Sequence, residues 1–218
     1  KESVAEMQEG GFLPDSPAGT ERLGVSGGAA GAFPRIDSAP MTEAQQELFL
    51  SVQMGDEANC AYNEANGIEF TGPLEVLCLD RALLHCVERH PALRSSFTAD
   101  GNSQLFRPAP GSLALPVEDL TSLPDVEAEA RYRALCAAET ETPFNLIEGP
   151  LVRLKLIRRG PARHILLLTA HHMVCDGWSF GMLIAELASI YNALRADRVP
   201  MLPPPMPFGD YARDLAQR

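Results

Sequence analysis

The segment that most limits how this chain can fold is His164-Ile165-Leu166-Leu167-Leu168-Thr169. Its apolar side chains fall on both faces of an alternating backbone. Such a run reads as a central strand, with neighbouring strands at its sides and packed layers above and below. The chain then turns polar, with two histidines and, shortly after them, Asp176-Gly177-Trp178-Ser179. From Ser179 onward, Phe180, Leu183, Ile184, Leu187, Ile190, Tyr191 and Leu194 recur at helical spacing, and Ser179 is available as the N-cap. A buried strand, a polar turn and an amphipathic helix in succession hold the turn between two rigid flanks, a good position for functional side chains.

The rest of the chain supplies partners for that strand. Residues 151–157 set Arg153 and Lys155 in alternation with Val152, Leu154 and Leu156, a second strand. Thr42-Glu43-Ala44-Gln45 has the form of a capping box, and Ala44, Leu48 and Val52 with Phe49 predict a helix over 42–54. After a polar stretch over 55–66, Ile68 and Phe70 predict a short strand. Residues 74–89 then predict a helix that Pro91 ends. Strands over 94–99 and 104–107, joined by Asp100-Gly101-Asn102, predict a hairpin, and 126–139 favours helix. Alternating strands and helices give an α/β domain with a mixed sheet. Residues 1–38, rich in Gly, Ala, Ser and Glu and without either period, read as a flexible linker or interdomain segment, leaving 39–218 as the folded unit. Gly24-Val25-Ser26-Gly27-Gly28 fits the G-x-S-x-G pattern of hydrolases. It lies in that linker without a strand before it, so it is set aside.

Composition narrows the function. The formal net charge of −11 argues against nucleic acid or an anionic membrane as a general partner, although Arg153, Lys155, Arg158 and Arg159 form a local basic group. No run approaches the roughly 20 apolar residues needed to span a bilayer. The five cysteines are scattered without CxxC spacing, so neither a disulfide framework nor a structural zinc site is expected, and a reducing cytoplasm fits. Adjacent side chains on extended backbone point to opposite faces, so His171 and His172 cannot share one ion. With no HExxH pattern, no metal site is expected. The same alternation divides labour: one imidazole faces a cleft while the other packs inward. The alternative is that both are satisfied structural histidines.

His171-His172-Met173-Val174-Cys175-Asp176-Gly177 resembles the HHxxxDG signature of the condensation domains of nonribosomal peptide synthetases, including the Trp178-Ser179 that often comes next. Three further segments are similar to family motifs and stand in the family's order. They are the helix opening at Thr42-Glu43-Ala44-Gln45, the segment Arg89-His90-Pro91-Ala92-Leu93-Arg94-Ser95-Ser96-Phe97, and Pro207-Phe208-Gly209-Asp210-Tyr211-Ala212. Departures are mild: Pro91 stands where Glu is common, Ser95-Ser96 replaces a Thr-containing pair, and Gln46-Glu47 lacks the frequent Arg. A complete domain of this family is much longer.

The resemblance implies a chloramphenicol acetyltransferase-like two-layer lobe with a mixed sheet packed by helices, the first half of a two-lobed domain. It implies amide bond formation between a donor acyl or peptidyl thioester and the α-amine of an aminoacyl thioester, in peptide or hybrid polyketide–peptide biosynthesis. His172 would be catalytic, His171 would orient the turn, and Gly177 would keep the channel open. Asp176 would pair with Arg94 in a buried salt bridge whose loss costs about 3–5 kcal/mol. No cofactor would be bound directly, because substrates arrive on the 4′-phosphopantetheine arms of carrier proteins. The partners implied are donor and acceptor carrier proteins, a C-terminal lobe of the same domain and a neighbouring adenylation domain, all cytoplasmic. An epimerization domain and a stand-alone acyltransferase share the signature. The former is disfavoured by Trp178-Ser179-Phe180-Gly181. An inactive docking module would carry a broken signature, and this one is intact. The chain alone would lack half of its channel.

Overall fold

The computed structural model describes residues 37–218. Most of the expected linker therefore lies outside the described residues. The chain runs β1 (Asp37–Pro40), α1 (Glu43–Val52), α2 (Asp56–Cys60), β2 (Asn63–Thr71), α3 (Val76–Arg89), a 3-10 turn (Pro91–Arg94), β3 (Ser95–Phe97), β4 (Ser103–Phe106), β5 (Val117–Asp119), α4 (Asp125–Glu141), β6 (Val152–Gly160), β7 (Arg163–His171), α5 (Gly177–Arg195) and α6 (Phe208–Leu215). The strands form two sheets, ordered β1-β4-β3 and β2-β7-β6-β5. In the larger sheet β5 runs parallel to β6 and the other pairs are antiparallel, so the sheet is mixed.

The double-sided apolar run becomes β7, an interior strand paired with β2 on one side and β6 on the other. Leu166, Leu168 and Ala170 turn one way, into a core with Leu79, Leu83 and Cys86 of α3 and Phe180, Leu183 and Leu187 of α5. Ile165 and Leu167 turn the other way, against Ala128 and Leu135 of α4. Helices thus cover both faces of this mixed sheet, as the expected chloramphenicol acetyltransferase-like lobe with a helix-packed sheet requires. A third cluster joins Phe49 of α1, Phe97 of β3, Phe144, Leu151 and Met173 beneath the end of β7.

Three local readings change. Polar residues 55–66 contain α2 and the start of β2. The latter is an edge strand whose one fully buried residue is Ile68, and its first half, residues 63–67, carries no apolar alternation. In α1 the capping box forms, with Gln45 N donating to Thr42 Oγ1 at 3.2 Å and Thr42 N donating to Gln45 Oε1 at 3.1 Å. Yet Gln45 is buried and Ala44 exposed, because the glutamine amide is needed inside to reach the carbonyl of Met173. The helix after the histidines begins at Gly177, and its N-cap is Asp176, not Ser179.

Leu166, fully buried between α3 and α5, is the most direct test of this layering. Leu166→Ala is expected to destabilise the fold by about 2–5 kcal/mol in urea titration, the loss typical of a buried Leu leaving a cavity. A change below about 1 kcal/mol would contradict a central, two-faced β7.

Candidate active site

The period of two along β7 carries past its end and separates the two histidines. His171, opposite Asn63 of β2, is fully buried, with Phe144 set edge-on at 6.0 Å and Tyr62 at 6.1 Å between ring centroids. Its Nδ1 accepts the amide of Met173 at 3.2 Å, and its carbonyl accepts the amide of Val174 at 3.0 Å. His171 thereby folds the chain back into a turn. Burial pulls its pKa down from 6.5 to about 4, because water no longer supports the charged ring.

His172 points to the other face. Its amide donates to the carbonyl of Tyr62 at 2.9 Å, adding one rung to the β2–β7 ladder. Its side chain remains 39% exposed and lines a cavity of about 610 Å³. Apolar groups, among them Leu48 of α1, Val174, Met182 of α5 and Phe208 of α6, make up most of the wall surface, and polar side chains such as Glu43, Gln45, His90 and Gln104 are interspersed among them. The turn after β7, the 3-10 turn, single residues of β3 and β4, and helices α1, α5 and α6 all contribute, so the cavity depends on how they dock.

Side-chain ties fix that docking. The buried Gln45 amide donates to the carbonyl of Met173 at 3.1 Å, linking α1 to the turn after His172. At the far wall, Glu186 of α5 accepts from Arg89 Nε at 3.0 Å and lies 2.6 Å from His90 Nε2, which clamps the end of α3 to α5. The Asn59 side chain exchanges hydrogen bonds of 2.8 and 3.0 Å with the backbone of Phe144, holding that ring against His171.

The expected Arg94–Asp176 bridge does not form. Arg94 Nε donates to the carbonyl of Val87 at 3.3 Å, and its guanidinium also meets the carbonyl of Arg107. Asp176 is exposed and accepts from the amide of Ser179 at 2.8 Å and its hydroxyl at 2.6 Å. The Ser179 hydrogen bonds hold its carboxyl below the usual range. Helix capping occupies the carboxylate where a salt bridge was expected. Gly177 has no positive φ, and a Cβ added there would meet nothing within 4 Å, so neither backbone nor packing in the described residues demands glycine. The local basic group is neutralised: Arg153 and Lys155 face Glu139, Arg158 faces Asp119, and Arg159 faces Glu129.

Glu64 is the site residue that sequence reasoning missed. Its Oε1 lies 2.6 Å from His172 Nδ1. The available signal was positional: had β2 been traced back to Asn63, Glu64 would have fallen diagonally opposite His172 on one face. Among the described residues no group of three or more His, Cys, Asp or Glu is placed to hold a metal ion, and no helix is long and apolar enough to cross a membrane.

This geometry sets two expected outcomes. Asp176→Ala is expected to cost about 0.5–2 kcal/mol, as loss of an N-cap does, with Asp176→Ser recovering most of it. A loss of 3–5 kcal/mol in urea titration would instead indicate a buried ion pair. Because the folded pKa of His171 is depressed, the unfolded chain binds the proton first. Stability is therefore intact above about pH 6.5 and declines as pH falls toward 4, by roughly 3 kcal/mol in all. Buried His164, also shifted down, adds in the same direction. Unfolding free energies across this range should show a shallower slope in His171→Asn, and an unchanged slope would rule out a neutral, sealed His171.

A family model described as "Condensation domain" matches residues 35–218. The chain is 36% identical over 189 residues to chondramide synthase of Chondromyces crocatus, covering 85% of this chain and 5% of that protein. It is 33% identical over 180 residues to malpinin synthetase of Mortierella alpina, covering 82% and 2%. The crystal structure of the starter condensation domain of rhizomide synthetase superposes with a TM-score of 0.73 at 27% identity, over 83% of this chain and 43% of that one. The chain thus spans less than half the length of each of these proteins, and by its family match, its relatives and its fold it belongs to the condensation-domain family of the nonribosomal peptide synthetases.

Proposed function

We propose that residues 39–218 are the N-terminal lobe of a condensation domain that joins a donor acyl or peptidyl thioester to the α-amine of an aminoacyl thioester. The observation that carries this is the contrast between two adjacent imidazoles: His171 is sealed and His172 stands in the wall of a large, mostly apolar cavity. In the reaction the amine nitrogen attacks the thioester carbonyl carbon, so a C–N bond forms and the C–S bond breaks. His172 takes the proton the nitrogen loses and passes it to the leaving sulfur, which departs as a thiol and leaves the imidazole neutral again. Imidazole suits that task because its ordinary protonation range lies near neutral pH. The apolar walls exclude water that would hydrolyse the thioester. Holding amine and carbonyl in line supplies a further part of the acceleration.

Both substrates would enter on 4′-phosphopantetheine arms of carrier proteins, and no cofactor would bind the lobe itself. Donor and acceptor carriers, the C-terminal lobe and an adjacent adenylation domain are the partners this reading requires, in the cytoplasm. Gly177 has open space around it, so a side chain there would project into the region beside the turn, where an arm would pass.

In the full-length parent with loaded carriers, His172→Ala is expected to lower amide formation by on the order of 10²-fold or more. Mass spectrometry of the carrier-bound product checks it. Product at the parental rate would remove His172 from the reaction, and inversion of the donor without a mass gain would indicate epimerization.

A further inference from the structure

The cavity imidazole has one hydrogen-bond partner on its ring among the described residues, and no motif includes it. Glu64 stands opposite Ala170 in the β2–β7 pairing, and His172 continues the same ladder through its amide to Tyr62. Glu64 and His172 are thus diagonal neighbours on one face of an antiparallel pair, a separation that a long side chain bridges. The bridge is closed at 2.6 Å between Oε1 and Nδ1, with both side chains partly shielded. Other ionisable groups nearby are committed elsewhere. Asp176 caps α5, His171 faces the opposite side, and Cys175 is a buried thiol pushed up to about 12.

An ionised carboxylate only accepts hydrogen bonds, so the ring nitrogen it meets carries the proton. The neutral His172 ring then holds its lone pair on Nε2. The neighbouring His171 is fixed the opposite way, since its Nδ1 accepts the amide of Met173 and its proton therefore sits on Nε2. Two consecutive imidazoles are held in opposite tautomers by one strand pairing and one turn.

We propose that Glu64 is a positioning residue that holds His172 as the Nδ1–H tautomer, leaving Nε2 as the nitrogen that receives the proton from the incoming amine. The catalytic half of this rests on His172 being the proton acceptor. The tautomer half does not. A merely structural Glu64 would brace the edge strand and leave the ring's proton distribution unchanged.

The test has two arms. In this 218-residue chain, nitrogen-15 NMR of labelled histidine reads the tautomer of neutral His172 directly. The expected result is Nδ1–H in the unaltered chain, Nδ1–H retained in Glu64→Gln, whose amide carbonyl still accepts, and a shift toward Nε2–H in Glu64→Ala. An Nε2–H ring in the unaltered chain, or one unmoved by Glu64→Ala, overturns the proposal. Glu64→Gln keeps the question answerable if the alanine variant folds poorly. In the full-length parent with loaded carriers, Glu64→Ala is expected to lower kcat by on the order of 10-fold or more, with KM little changed and Glu64→Gln restoring most of the rate. A change confined to KM, or none, overturns the positioning role. If the tautomer depends on Glu64 while His172→Ala retains the full rate, the catalytic reading of His172 falls and the Glu64–His172 assignment stands.

Discussion

The structure depends on the burial of β7 from every side. Strands β2 and β6 take its backbone hydrogen bonds, α3 and α5 cover one face, and α4 covers the other. A strand so enclosed has no freedom of register, because a shift by one residue would exchange every side chain between two differently filled faces. That constraint extends to the residues just beyond its end. Once Ala170 is fixed toward α5, alternation sends His171 into the interior and His172 out toward the cavity.

Around this exit the chain relies on polar contacts more than on apolar contact alone. Gln45, Asn59 and Asp176 each satisfy backbone groups of a neighbouring element or of the turn. Unpaired, such groups would be costly in the interior, so each contact is specific in geometry and keeps the turn in one conformation. Glu186 performs the same service for the opposite wall, gathering Arg89 and His90 at one carboxylate. The cavity is therefore tied together by hydrogen bonds between its elements, and its wall surface is mostly apolar.

The departures from expectation share a cause. Asp176 and Arg94 are each taken up by partners closer in sequence: Asp176 by Ser179, and Arg94 by the carbonyls of Val87 and Arg107. An N-cap three residues away costs little chain entropy to form, whereas a bridge between distant segments must be held by the packing of both. Similarly, Arg153, Lys155, Arg158 and Arg159 form a run of charge in sequence but are dispersed onto carboxylates of α4 and of β5. A basic cluster in sequence is not a basic surface when acidic side chains lie across the sheet.

By itself the sequence determined β6 and β7, the opposed histidines, the capped α1, the hairpin of β3 and β4, and the helices α3, α4 and α5. Each arises from periodicity or capping, which act between residues a few positions apart. Only tertiary structure decided the rest. The edge strand β2 takes its conformation from β7 and not from its own polar residues. Gln45 is buried because a carbonyl 128 positions away needs it. Glu64 meets His172 across 108 positions of chain, through a strand pairing that no local pattern encodes. The cavity-facing imidazole was legible because it directly follows a buried strand, while its carboxylate partner was not, because it lies on an exposed one.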